Sequence, residues 1–194
     1  MRGTKAQALV ACLAGLAAAG VLAVSWPSSA QTGDRLLARI RQEQAADLAT
    51  LKDLVAIESG SRDAEGLDRA ATFIAARLRA LGGEVDVVPA PADMTRLEDT
   101  PAQPGKSVVA RFRGTGTGRI LLLAHMDTVY ERGSAAKQPF RVEGDRAYGL
   151  GIADDKSGVA MAIHAVAVLN ALDLRDYALV TVLVNGDEEI SSPG

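Results

Sequence analysis

Ile120-Leu121-Leu122-Leu123-Ala124-His125-Met126-Asp127 is the stretch on which the reading of this chain turns. Its unbroken apolar run, opened by Gly118 and closed by polar residues, reads as a strand covered on both faces, the kind found inside α/β sheets. Side chains two apart in extended backbone point the same way, so His125 and Asp127 share one side where the strand runs out. A carboxylate beside an imidazole can orient the ring and raise its basicity as a metal ligand. Taken alone, the same tripeptide reads first as a hydrogen-bonded surface pair.

Working upstream, Val108, Ala110 and Phe112 alternate with Val109, Arg111 and Arg113 in a second strand with one wetter face. Gly114-Thr115-Gly116-Thr117-Gly118 joins the two, which predicts a hairpin. A dinucleotide-binding glycine loop must open a helix, and this one opens a strand. Glu84 to Val88 reads as a further short strand, and the proline-bearing stretch from Pro89 to Lys106 as a surface loop. Before these, Leu36, Leu37, Ile40, Leu48, Leu51, Leu54, Val55 and Ile57 recur at helical spacing from Asp34 to Glu58. A second helix runs from about Ala64 to Leu81, with Asp63 as its N-cap and Gly82-Gly83 as its stop.

Downstream, Phe140-Arg141-Val142 and Arg146-Ala147-Tyr148 predict a hairpin, Gly158 to Leu172 a helix and Ala178 to Val184 another buried strand. Strands alternating with helices give an α/β class with a mixed, largely covered sheet and helices on both faces.

Acids gather where these elements end. Asp154 and Asp155 lie in a glycine-rich turn ahead of a helix, where carboxylates cap helix amides and meet the positive end of its dipole. Two neighbouring acids exceed what one cap requires, and a carboxylate held between two cations escapes like-charge repulsion. Asp187, Glu188 and Glu189 follow the strand ending at Val184. Carboxyl ends of strands are where α/β sheets collect ligands, although a solvated acidic loop explains any one such run. What favours chemistry is the coincidence of three clusters, each at a strand end or turn. Imidazole with carboxylates is a donor set for Zn²⁺ where no thiolate is offered. His164, between Ile163 and Val166, reads as an ordinary helix residue. No Gly-x-Ser-x-Gly elbow supports a serine triad.

With 48% apolar and 23% charged residues, the 194-residue chain has the composition of a globular domain. Its net charge of -3 becomes -5 without the first thirty residues, 19 basic against 24 acidic, and the basic residues are scattered, so nucleic acid is not an expected partner. Those thirty residues carry Arg2 and Lys5, an apolar stretch from Ala8 to Val24, and small residues at Ser28 and Ala30. This is the build of a secretory signal peptide cleaved before Gln31. The stretch is mostly Ala and Gly, too weakly apolar for a permanent span, so no stable membrane association is expected after cleavage. Cys12, the sole cysteine, leaves with it, which excludes disulfides from residues 31–194 and suits a periplasmic or secreted protein.

Leu122-Leu-Ala-His125-Met-Asp127-Thr-Val-Tyr130, Pro139-Phe-Arg-Val-Glu-Gly-Asp-Arg-Ala-Tyr-Gly149, Gly151-Ile-Ala-Asp154-Asp155-Lys-Ser-Gly158 and Asp187-Glu188-Glu189 together resemble the M20 family of zinc metallopeptidases, in its glutamate carboxypeptidase (carboxypeptidase G2-like) branch. The similarity runs from about residue 35 to the end. It implies a two-zinc hydrolase in which His125 binds one Zn²⁺, Asp154 bridges both, Glu189 binds the second, Asp127 orients His125 and Glu188 is the general base. It also implies a cis peptide between Asp154 and Asp155. The implied substrate is a small peptide or N-acyl amino acid, with glutamate a candidate product. A deacylase or desuccinylase of a small metabolite, or an exported binding protein without catalysis, is the alternative on the same fold. The resemblance assigns a further acid, a further histidine and a lid-like domain for homodimerisation to sequence beyond residue 194. Residues 31–194 are therefore expected to be the N-terminal part of a catalytic domain, with two protein donors per metal and little activity alone.

Overall fold

The computed structural model describes residues 29–98 and 100–194, so all but Ser29 and Ala30 of the expected leader lies outside the described residues. In chain order, α1 (Ser29–Ala56) and α2 (Ala64–Ala80) precede β1 (Glu84–Val88), β2 (Ser107–Arg113) and β3 (Arg119–His125). A small hairpin of β4 (Arg141–Glu143) and β5 (Arg146–Tyr148) leads to a turn at Ile152–Lys156, then α3 (Ser157–Ala171), β6 (Leu179–Asn185) and a 3₁₀ turn, Glu188–Ile190. Among the described residues no helix is long and apolar enough to cross a membrane.

The α/β class and the mixed sheet are as expected, and each element lies within a few residues of its predicted place. Asp63 caps α2 by accepting the Gly66 N–H at 3.0 Å. The pairing of β2 with β3 is corrected. The four-stranded sheet has the order β1-β2-β6-β3, with β6 antiparallel to β2 and parallel to β3. The glycine linker reverses the chain without pairing the two strands; Thr115 and Gly116 donate to the carbonyls of Arg175 and Tyr177, carrying the chain past the start of β6, which lies between them. A parallel neighbour needs a crossover, and α3 supplies the one between β3 and β6.

Register explains the core. Val180, Val182 and Val184 stand level with Phe112, Ala110 and Val108 on one side and with Ile120, Leu122 and Ala124 on the other, all facing one way. Beneath that face, Leu67, Ala71, Ile74 and Leu78 of α2 and Val159, Ile163 and Val166 of α3 complete a single core. The described helices therefore cover one face of the sheet. On the other, Leu121 and Leu123 are 58% and 66% exposed, because an apolar run sends alternate side chains to opposite faces whatever lies beyond them. Leu78, fully buried, reports on this core: Leu78→Ala is expected to cost about 3 kcal/mol, read as a lower urea midpoint at unchanged slope.

Candidate metal centre

The carboxyl end of β3 and the turns flanking α3 and β6 meet at one end of the sheet. His125 closes β3 opposite Asn185, and the Met126 N–H donates to the Asn185 carbonyl at 2.8 Å, so the chain after β3 still runs beside the chain after β6. Across this seam one donor atom each of His125, Asp154 and Glu189 lie within 4.8 Å of one another. Sequence reasoning named these three residues, and the fold brings them together although 64 positions separate the first from the last.

The imidazole is aimed from behind. Its Nδ1 faces the Asp127 carbonyl at 3.1 Å and the Asp127 Oδ1 at 3.3 Å, which makes Nδ1 the donor nitrogen. Nε2 then presents its lone pair to Asp154 Oδ1, 2.9 Å away, with Glu188 Oε2 at 3.9 Å. A lone pair and a carboxylate oxygen facing each other need a positive centre between them. A proton serves; so does a metal ion, whose bonds of about 2.0–2.2 Å to N and O span a gap of this size. Burial opposes the imidazolium, but the Asp154 hydrogen bond and the charges of Asp127, Glu188 and Asp155 outweigh it, so the His125 pKa is raised. Burial and the neighbouring Asp154 charge likewise raise that of Glu189. Acids crowded beside an imidazole in this way form a cation site by their chemistry, and the donor set fits a divalent metal.

The two adjacent aspartates divide their work. A cis peptide joins them, as the resemblance implies. Asp154 turns outward to His125. Asp155 turns back, accepting the Gly158 N–H at the start of α3 at 3.1 Å and the His125 N–H at 3.4 Å. A Cβ on Gly158 would stand 2.3 Å from Asp155 Oδ1, so the cap requires glycine there. Asp187, the first of the three consecutive acids, is buried away from the donors, its carboxyl accepting the Gly194 N–H and its pKa raised by burial. His164 is also outside the site, bonded at 2.8 Å to Glu43 and to Thr50 of α1.

Three residues that sequence reasoning passed over hold the site. Ser59-Gly60-Ser61 runs parallel to residues 126–128, with Thr128 N–H donating to Ser59 O and Ser61 N–H to Thr128 O. Within it Ser59 Oγ donates to the Met126 carbonyl at 2.6 Å and Ser61 Oγ to Asp127 Oδ2 at 2.8 Å. Gly60 permits the approach, since a Cβ there would lie 2.3 Å from the Tyr130 carbonyl oxygen. Lys156 is buried behind the aspartate turn, its amine donating to the carbonyls of Leu54 and Ile57. Burial pushes its pKa down to about 8, against the pull of Glu58. Serines in a loop and a lysine after two acids carry no period or motif that reveals such contacts.

Beside the donors a cleft of about 610 Å³ is lined by Ser61, Asp63, Tyr130, Arg132 and Glu189, among others. Its far wall is braced by Arg132, whose Nε donates to Asp63 Oδ2 at 3.0 Å and whose Nη2 donates to Glu65 at 2.9 Å. The Arg132 hydrogen bond is the main cause of the lowered Asp63 pKa, and the cap from Gly66 adds to it. A depressed carboxyl pKa stabilises the fold above its unfolded value and loses that contribution as the pH falls through the folded one. Asp63→Ala is thus expected to lose about 1–2 kcal/mol at neutral pH, with the deficit shrinking as the pH drops below 3.8; urea titrations at several pH values check this.

Residues 121–194 match the model for Peptidase family M20/M25/M40. The chain is 43% identical over 182 residues to carboxypeptidase G2 of Pseudomonas sp. (strain RS-16), covering 92% of this chain and 42% of that enzyme, so it spans about two fifths of the relative's length. It is 34% identical over 102 residues to acetylornithine deacetylase of Proteus mirabilis (strain HI4320), covering 50% of this chain and 26% of that enzyme. Among solved structures, human carnosine dipeptidase 1 shares the fold with a TM-score of 0.67 at 24% identity, over 82% of this chain and 35% of that one. With its motifs, its sheet and its relatives in agreement, the chain belongs to peptidase family M20.

Proposed function

We propose that the whole protein is a two-zinc metallohydrolase, an exopeptidase of the carboxypeptidase kind that cleaves a peptide or N-acyl amino acid bond, with glutamate a candidate product. The observation that carries this is the convergence of His125 Nε2, Asp154 and Glu189 within 4.8 Å, with Glu188 at its rim. His125 and Asp154 would hold one ion, Asp154 and Glu189 the other. Bound there, zinc supplies Lewis acidity, lowering the pKa of water and polarising a carbonyl. The remaining steps belong to side chains. Glu188, its carboxylate 53% exposed and its backbone N–H held by Asp127 Oδ1 at 3.0 Å, accepts the proton of the attacking water and passes it to the leaving amine. Asp127 keeps His125 in the tautomer that offers Nε2. The neighbouring cleft takes the part of the substrate next to the scissile bond.

A deacylase acting on a small acylated amino acid is the second reading, favoured by the identity to an acetylornithine deacetylase over half the chain. Export to the periplasm or beyond is proposed on the pattern of the first thirty residues alone. Zinc titration of the metal-free whole protein, followed by hydrolysis of a panel of N-acyl amino acids and dipeptides, tests the proposal. Uptake of two ions with release of the C-terminal amino acid is the expected result; absence of zinc uptake overturns it.

A further inference from the structure

We propose that Ser61 is a positioning residue of this centre, acting through Asp127 to set metal donors that arrive on two separate elements; the inference rests on the metallohydrolase reading above. Asp127 is fully buried, and its carboxylate is surrounded. Oδ1 accepts the Glu188 N–H at 3.0 Å and faces His125 Nδ1 at 3.3 Å; Oδ2 accepts the Glu189 N–H at 3.0 Å and the Ser61 hydroxyl at 2.8 Å. Four donors surround the two oxygens, the single Nδ1 proton of His125 being shared with the Asp127 carbonyl at 3.1 Å. One carboxylate therefore fixes the ring of His125 at the end of β3 and the backbone of Glu188 and Glu189 after β6.

Three of those donors belong to the groups being positioned. Ser61 is the fourth, and it comes from the segment between α1 and α2. Its own place is set independently, because its N–H is spent on the Thr128 carbonyl at 3.1 Å and its side chain is buried. The hydroxyl has one proton to give. The Thr128 carbonyl stands 3.3 Å from Oγ, whereas the ionised Asp127 offers the shorter, charge-assisted bond. Without that hydroxyl, Oδ2 keeps a buried lone pair unmet and the carboxylate plane is held on that side by the Glu189 N–H alone. Any rotation is passed at once to His125 and to the glutamate turn. Thr50 of α1 is the natural comparison: its hydroxyl is also buried and hydrogen-bonded, but to His164 at 2.8 Å, outside the site.

Zinc affinity of the whole protein, measured by chelator competition, and the visible spectrum of its Co²⁺ form test the role in Ser61→Ala, Ser61→Thr and Thr50→Val. Ser61→Ala is expected to weaken zinc by about 10–100-fold, as loss of a ligand's hydrogen-bonded support does, and to alter the Co²⁺ bands. Ser61→Thr, which keeps the hydroxyl, is expected to restore both. Thr50→Val is expected to lower the urea midpoint while leaving affinity and spectrum unchanged. If Ser61→Ala does not fold, Ser61→Cys, nearly the same in shape but a poor donor, is read in its place. Unchanged affinity and spectrum on loss of the Ser61 hydroxyl, or equal losses in the Thr50 and Ser61 variants, overturn the inference while leaving the metal centre in place. Failure of the unmodified protein to take up zinc overturns the reading beneath it.

Discussion

Glu188→Gln is expected to lower turnover by about 10²–10⁴-fold while leaving zinc uptake and unfolding unchanged, the range set by removal of a general base. Gln has the shape of Glu and retains the backbone N–H that Asp127 Oδ1 holds at 3.0 Å, so the turn after β6 stays as it is. The side chain is 53% exposed and takes no part in the core, which separates this change from one acting through stability. What disappears is the carboxylate proposed to take a proton from water. Measured on one preparation, kcat, zinc stoichiometry and Tm give the answer. Turnover within tenfold of the unmodified protein removes Glu188 from the role of base and moves it to another acid at the site.

Asp127→Asn is expected to cost about 3 kcal/mol of stability in the metal-free protein, as much as a cavity in the core. Asn matches Asp in volume, but one terminal oxygen becomes an NH₂ group. In either orientation that group faces a backbone N–H, of Glu188 or of Glu189, each of which donates to Asp127 at 3.0 Å. A buried donor is then set against a donor where the chain has no exposure to water. Zinc affinity is expected to fall by about 10–100-fold as well, because the His125 ring loses the carboxylate behind Nδ1. Urea unfolding must be run without metal, since bound zinc adds its own binding free energy to the folded state. A variant as stable as the original shows that the four contacts to Asp127 are not what holds the site.

Much of the architecture was legible from periodicity and punctuation. The helical spacing from Leu67 to Leu78, closed by Asp63 in front and Gly82 behind, marks α2 because capping and amphipathic burial are local, read within a few residues. The same holds for β1, the β4-β5 hairpin and α3. The candidate donors were legible as well, since His125, Asp154 and Glu189 each stand where an element ends, and the fold brings them within 4.8 Å of one another.

Partnership was not legible. Two apolar strands joined by five residues read as a hairpin, and the insertion of β6 between them depends on a crossover completed sixty residues later. Nor does an apolar run disclose how many of its faces are covered, as exposed Leu121 and Leu123 show. Asp154 and Asp155 are the same residue twice in the chain; only backbone direction at the turn sends one to His125 and makes the other a helix cap.

By itself, then, the amino-acid order determined the elements, the donor inventory and the family, because each rests on contacts between near neighbours or on short motifs. Tertiary structure alone decided the strand order, the separate tasks of the paired aspartates and the support of Asp127 by Ser61, 66 positions away. The physical reason is common to all three: a hydrogen bond or a strand pairing is satisfied in space, and the chain that bends to satisfy it carries no local trace of its partner.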